Sequence, residues 1–143
     1  MKKLVSIFSG LLVLTAGCKK ENALKLQRDN LSGKWELTRS YSGWGGTTEY
    51  PSGNGNFILF EGNILSMYTQ INDIPYTTRG TFNIYMDRPC DNAPETSLIE
   101  FHDFLSSSSY GTINEIVLSN GELSIGDTQC VADGGTNYYR KIQ

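Results

Sequence analysis

The residues of this chain best able to do chemistry are one histidine, three cysteines and two clusters of oxygen-bearing side chains. His102 lies in Glu100-Phe101-His102-Asp103, and four serines follow at Ser106 to Ser109. A Ser-His-Asp hydrolase needs the acid to orient the imidazole on a shared surface. In an extended strand alternate residues share a face, so Glu100 and His102 fall on one side and Asp103 on the other. No nucleophile elbow or oxyanion-forming glycine pattern surrounds the serines. Asp87, Asp91 and Glu95 form the other cluster, and oxygen ligands at such spacings suit a hard cation such as Ca²⁺. The Asp-x-Asp-x-Asp-Gly pattern is absent, and one His without a C-x-x-C pair does not make a zinc site. These residues lead us to expect a protein that is not an enzyme and that holds no metal or cofactor.

The cysteines point elsewhere. Met1-Lys2-Lys3 is a short basic start, and Leu4 to Thr15 is an apolar stretch of twelve residues. Such a helix rises about 18 Å, too little to cross a hydrocarbon core of about 30 Å, so it reads as an export signal occupying residues 1–17. The stretch ends in Leu14-Thr15-Ala16-Gly17-Cys18, which resembles the bacterial lipobox, with Thr15 where Leu is commonest. The resemblance implies that Cys18 becomes the first mature residue and carries diacylglycerol. With an added N-acyl chain that makes a stable anchor, at about 0.8 kcal/mol per buried methylene. The expected partner of Cys18 is therefore a lipid bilayer, and the expected location is the cell envelope, on the outer membrane. Lys19-Lys20-Glu21-Asn22 follows, and its Lys-Glu resembles a surface-export signal of Bacteroidetes lipoproteins; a solvated spacer is the better reading of two residues, which leaves periplasmic and surface display both open. In an exported protein the remaining pair, Cys90 and Cys130, is expected to form a disulfide. The bond closes a loop of about forty residues and contributes about 3 to 4 kcal/mol. Thiol titration under denaturing, non-reducing conditions is expected to find neither cysteine free.

Beyond the signal, residues 18–32 form a tether and 33–143 are long enough for one small domain. The tether carries Lys19, Lys20, Lys25 and Arg28 against Glu21 and Asp29, while the domain has six basic and thirteen acidic groups. An acidic domain is repelled by nucleic acid and by anionic lipid, which excludes both as partners of its face. It is expected to be a monomer.

Domain apolar runs span five to eight residues, with no sustained 3.6-residue period, so the chain reads as all-β. Strands are expected at Lys34 to Ser42, Asn56 to Phe60, Ile64 to Ile71, Tyr76 to Met86, Leu98 to Phe104, Tyr110 to Leu118, Glu122 to Gly126 and Asn137 to Ile142. Within the fourth, Phe82, Ile84 and Met86 share one face, opposite Thr81, Asn83 and Tyr85. Glu61-Gly62-Asn63 and Asn120-Gly121 mark hairpins. Asp87 to Glu95, with two prolines, reads as a long loop. Only Asn22 to Leu31 leans helical, as one turn within the tether. Eight short strands joined mostly by tight turns suit a small antiparallel up-and-down β-barrel, whose closure removes exposed edges.

Leu31-Ser32-Gly33-Lys34-Trp35-Glu36-Leu37 resembles the Gly-x-Trp opening of lipocalins and of lipocalin-like lipoproteins of gut Bacteroidetes. Tyr138-Tyr139-Arg140-Lys141-Ile142 resembles their last strand. In that family the Trp closes one barrel end and an Arg from the last strand lies across it. The resemblance therefore assigns Trp35 and Arg140 to barrel closure as a cation–π pair of about 0.5 to 2 kcal/mol. The chain departs from lipocalins in lacking the Thr-Asp-Tyr motif and a C-terminal helix, and in its shortness, which bears on the depth of any cavity. Leu-x-Gly-x-Trp-x-Leu also opens META-type heat-shock lipoproteins and barrel-shaped protease inhibitors. Two functional classes follow. A barrel with an open mouth binds a small apolar or amphipathic ligand, with Tyr41, Trp44, Tyr68, Tyr76 and Tyr85 as candidate lining or rim residues. A solid barrel instead offers its loops to a protein or glycan.

Overall fold

The computed structural model describes residues 21, 24, 25, 27–104 and 113–142. Met1 to Lys20, with the export signal and Cys18, lie outside the described residues, as do Ser106 to Ser109 and Tyr110. Residues 27–31 are helical. The rest is a single antiparallel sheet of β1 (Gly33–Ser42), β2 (Gly46–Glu49), β3 (Phe57–Glu61), β4 (Ile64–Ile71), β5 (Ile74–Asp87), β6 (Thr96–His102), β7 (Ile113–Ser119), β8 (Glu122–Gly126) and β9 (Gly135–Ile142). Strands β3 to β9 follow β1 in order, and β9 pairs back to β1, so eight strands close a barrel. The expected all-β barrel is what forms.

β2 is an addition to the expected eight. It pairs with Arg39 to Ser42 on the same edge of β1 that holds β3 lower down, at Gly33 to Glu36. Gly46-Thr47-Thr48-Glu49 is exposed throughout and has no apolar alternation, so no periodic signal marks it. Between β2 and β3 the chain leaves the sheet and is tied to it by side-chain and main-chain hydrogen bonds. Asn54 donates to the Leu37 carbonyl at 2.8 Å, Leu37 N donates to the Asn56 carbonyl at 2.9 Å, and Gln70 N donates to Asn56 Oδ1 at 2.8 Å.

The hairpins follow their turn residues. Asn72 and Asp73 both take positive φ (51° and 63°), as do Asn120 and Gly121 (52° and 78°), the geometry of two-residue turns that match strand twist. Because Asn72-Asp73 completes the turn alone, β5 starts at Ile74 and not at Tyr76. β6 stops at His102, two residues earlier than expected. Asp103, at φ 63°, turns the chain, and Phe104 folds back onto Phe101 with ring centroids 5.5 Å apart.

Register fixes the faces. Trp35, Ile58, Met67 and Thr78 are aligned across β1, β3, β4 and β5, and Ile84, Ile99 and Asn114 across β5, β6 and β7. These point inward, and Trp35, Ile58, Ile84, Ile99 and Asn114 with Phe60, Leu65, Phe82, Ile116, Leu123, Ile125 and Tyr139 make a buried core, while Met67 and Thr78 are half-buried. The core fills the end where β1 begins and β9 finishes. Trp35 is fully buried there, and its Nε1 donates to the Leu31 carbonyl at 2.7 Å. Phe104 adds to the packing only because residue 80 is glycine: a Cβ on Gly80 would lie 2.5 Å from Phe104 ring carbons and closer still to the His102 carbonyl. Gly80→Val is therefore expected to destabilise the barrel by about 2 kcal/mol. Urea unfolding would read this, and an unchanged midpoint would show that Phe104 does not need that space.

The expected disulfide is present. Cys90 and Cys130 are bonded with Cα atoms 6.1 Å apart, joining the β5–β6 loop to the β8–β9 loop.

Candidate ligand cavity

The inward positions change character along the barrel. Toward the end bearing Ser42, Ile71, Ile74 and Gly135, they become Ser40, Asn56, Thr69, Tyr76, Thr78 and Asn137, and short polar side chains replace large apolar ones. They leave a cavity of about 1170 Å³, open at that end. Its floor is Leu37, Ile58, Met67 and Tyr139, directly above the buried core, and Asp127 and Asp133 stand at its edge. The barrel is therefore filled at one end and hollow at the other. A molecule in the hollow meets hydrocarbon and thioether below and hydroxyl and amide groups on the walls, which is the surface of an amphipathic site.

The aromatic candidates separate by parity. Tyr76 pairs with Thr69 on the inward face and lines the cavity. Tyr41 and Tyr68 border it from positions whose register faces outward. Tyr68 is stacked on Phe57 at 4.1 Å, and Lys34 Nζ sits 3.6 Å over the Phe57 ring. Trp44 is 86 % exposed at the tip of the β1–β2 hairpin, on the rim, and does not line the cavity. Tyr85 points outward beside Leu98 and is removed from the site. Burial raises its phenol above the usual 10.0, and the charges of Glu100 and Asp87 add to that. Sequence reasoning missed Ser40, Asn56, Thr69, Thr78 and Asn137. The signal for Thr78 was available, since counting back by twos from Ile84 reaches it.

Barrel closure also differs from the expectation. Arg140 does not lie over Trp35. Tyr139 faces in, so Arg140 faces out, where its guanidinium binds Glu36 Oε2 at 2.5 Å through Nη2 and 3.1 Å through Nε. The cation near the Trp35 ring is Lys141, with Nζ 5.3 Å from the ring centroid, because Lys141 and Trp35 are register partners. Glu36 is only 6 % exposed and its Oε1 also accepts from Gly53 N at 2.6 Å. Its carboxyl is held below the ordinary 4.5 chiefly by the Arg140 hydrogen bonds, against a desolvation effect in the opposite direction.

His102 Nε2 lies 3.6 Å from Glu100 Oε2 on the outer face and does not line the cavity. Among the described residues, Asp87, Asp91 and Glu95 belong to no group of acidic, His or Cys side chains that could hold a metal ion. Among the same residues no helix is long and apolar enough to cross a membrane. No family model, curated protein or solved structure matches the chain.

Proposed function

We propose that this chain is a lipid-anchored protein of the bacterial outer membrane whose lipocalin-like barrel takes up a small amphipathic molecule. The observation that carries the ligand reading is the half-filled barrel: a packed core below and an open cavity of about 1170 Å³ above. A solid barrel would have left only its loops for recognition. Anchoring is supported by the apolar stretch ending in Ala16-Gly17-Cys18, and the lipocalin-like reading by Gly33-Lys34-Trp35 opening a closed eight-stranded barrel. The ligand's apolar part rests on Leu37, Ile58 and Met67, and its polar groups meet Ser40, Thr78 and Asn137.

Native mass spectrometry of the protein purified from its own host tests this. A bound species on the order of 300–600 Da is expected, the size a drug-sized pocket encloses. Thr78→Phe, which places a ring in the cavity, is expected to remove it. A wild-type protein that arrives at its bare lipidated mass would sink the proposal.

A further inference from the structure

The open end carries apolar side chains that the core does not use. Trp44 tips the β1–β2 hairpin, Ile71 and Ile74 flank the β4–β5 turn, and Val131 lies in the β8–β9 loop; all four are at least half exposed. The same region holds Glu49, Asp73, Asp127 and Asp133, and residues 43–49, 71–74 and 127–134 contain no Lys or Arg, so four carboxylates stand against Arg79, which also lines the cavity. The opposite end holds Lys34, Arg140 and Lys141. The rim is thus apolar and acidic together.

It is also built on a fixed backbone. A Cβ on Gly43 would stand 2.6 Å from Asp133 Cα, so the hairpin tip and the β8–β9 loop touch main chain to main chain. That loop is held by the Cys90–Cys130 bond and by Gly135 N donating to Asp127 Oδ2 at 2.8 Å. Trp44 is therefore presented one residue from a contact with Asp133, placing an indole and a carboxylate on the same stretch of rim. An aromatic face and a carboxylate both attract cations, and a preorganised surface loses little freedom when it binds. Anionic lipid is repelled by these carboxylates, and a neutral bilayer gains nothing from them.

We propose that the open rim docks a basic amphipathic polypeptide, with its Lys or Arg side chains at Trp44, Asp133 and Asp73 and its apolar side chains on Ile71 and Ile74. This surface shares Ile71 and Asp133 with the cavity mouth but not the cavity floor or inner walls.

The full chain, captured on a biosensor through a tag at its C terminus, leaves the rim free because β9 ends at the closed end. It is exposed to an amphipathic Lys/Leu peptide, to the Glu/Leu counterpart, and to phosphatidylcholine vesicles with and without phosphatidylglycerol. The Lys/Leu peptide is expected to bind at least about tenfold tighter than the Glu/Leu one, with affinity falling as salt rises. Trp44→Ala and Asp133→Asn are each expected to weaken it roughly fivefold or more, and Trp44 is exposed enough for its loss to leave the fold intact. Thr78→Phe is expected to leave peptide affinity unchanged. Equal binding of the two peptides, a preference for vesicles, unchanged affinity in both rim variants, or loss of peptide binding in Thr78→Phe would each overturn the proposal.

Discussion

Replacing Glu36 with alanine is expected to lower the unfolding free energy by about 3 kcal/mol. Three hydrogen bonds converge on this carboxylate: two from Arg140 on β9 and one from Gly53 in the β2–β3 connection. Each bond to an ionised group contributes about 1.5–3 kcal/mol, but the sum is not realised. Arg140 is 44 % exposed at its side chain and Gly53 lies in an exposed loop, so both partners recover water in part when the carboxylate is lost. The estimate therefore sits at the lower end of what breaking a buried pair costs. For a domain of this size the melting temperature is expected to fall by roughly 12–18 °C. Glu36→Gln keeps an acceptor for Gly53 and is expected to fall between the two. A melting temperature within a few degrees of the parent would show that Glu36 does not tie the loop to the barrel.

The same carboxylate gives a pH signature. Its folded pKa is depressed below the ordinary 4.5, so the folded state binds the proton more weakly than the unfolded chain does. The stabilisation is complete above the unfolded value and is lost as pH falls through the folded one. The stability difference between parent and Glu36→Ala is thus expected to be constant near neutrality and to shrink below pH 4.5. Urea titrations at neutral and acid pH measure it directly.

Much of this fold is legible in local chemistry because its determinants are local. Asn120-Gly121 demands a turn wherever it stands between alternating runs, and the strands around it follow with period two. Thr47-Thr48-Glu49 escapes because β2 is a strand only by virtue of the β1 edge it lies on. The face of the last strand was within reach as well. Tyr139 is a core residue, and alternation from it puts Lys141 inward and Arg140 outward, against the assignment the family resemblance suggests. A one-residue shift reverses every side chain, so a motif match that ignores parity names the wrong cation. The Glu36–Arg140 pair spans 104 residues and has no local trace. Neither does the cavity. Its existence depends on several short inward side chains, such as Ser40, Thr69, Thr78 and Asn137, coming level with one another around a staggered barrel, and that is a property of register across strands. The aromatics that looked like ligand contacts turned out to divide among wall, outer face and rim, because bulk and aromaticity do not encode direction.

Cys18→Ser is expected to release or mislocalise the protein while leaving the barrel folded. A single acyl chain gives an association constant of only about 10⁴ M⁻¹, whereas two or more chains at about 0.8 kcal/mol per methylene hold a protein stably. Among the described residues no helix is long and apolar enough to cross a membrane in its place. The four cations of the spacer are halved in net charge by Glu21 and Asp29, and the acidic domain is repelled by anionic headgroups. The barrel does not depend on the lipid, because its core is closed by Leu31 and Trp35, thirteen residues and more beyond the cysteine. Fractionation of host cells therefore separates two contributions that are independent in the fold: circular dichroism and melting temperature unchanged, membrane association lost. β1 begins at the closed end of the barrel, away from the cavity mouth. Serine at position 18 is then expected to leave a barrel that still takes up the proposed amphipathic ligand. Continued membrane association of the Cys18→Ser chain would overturn the anchor and, with it, the proposed location.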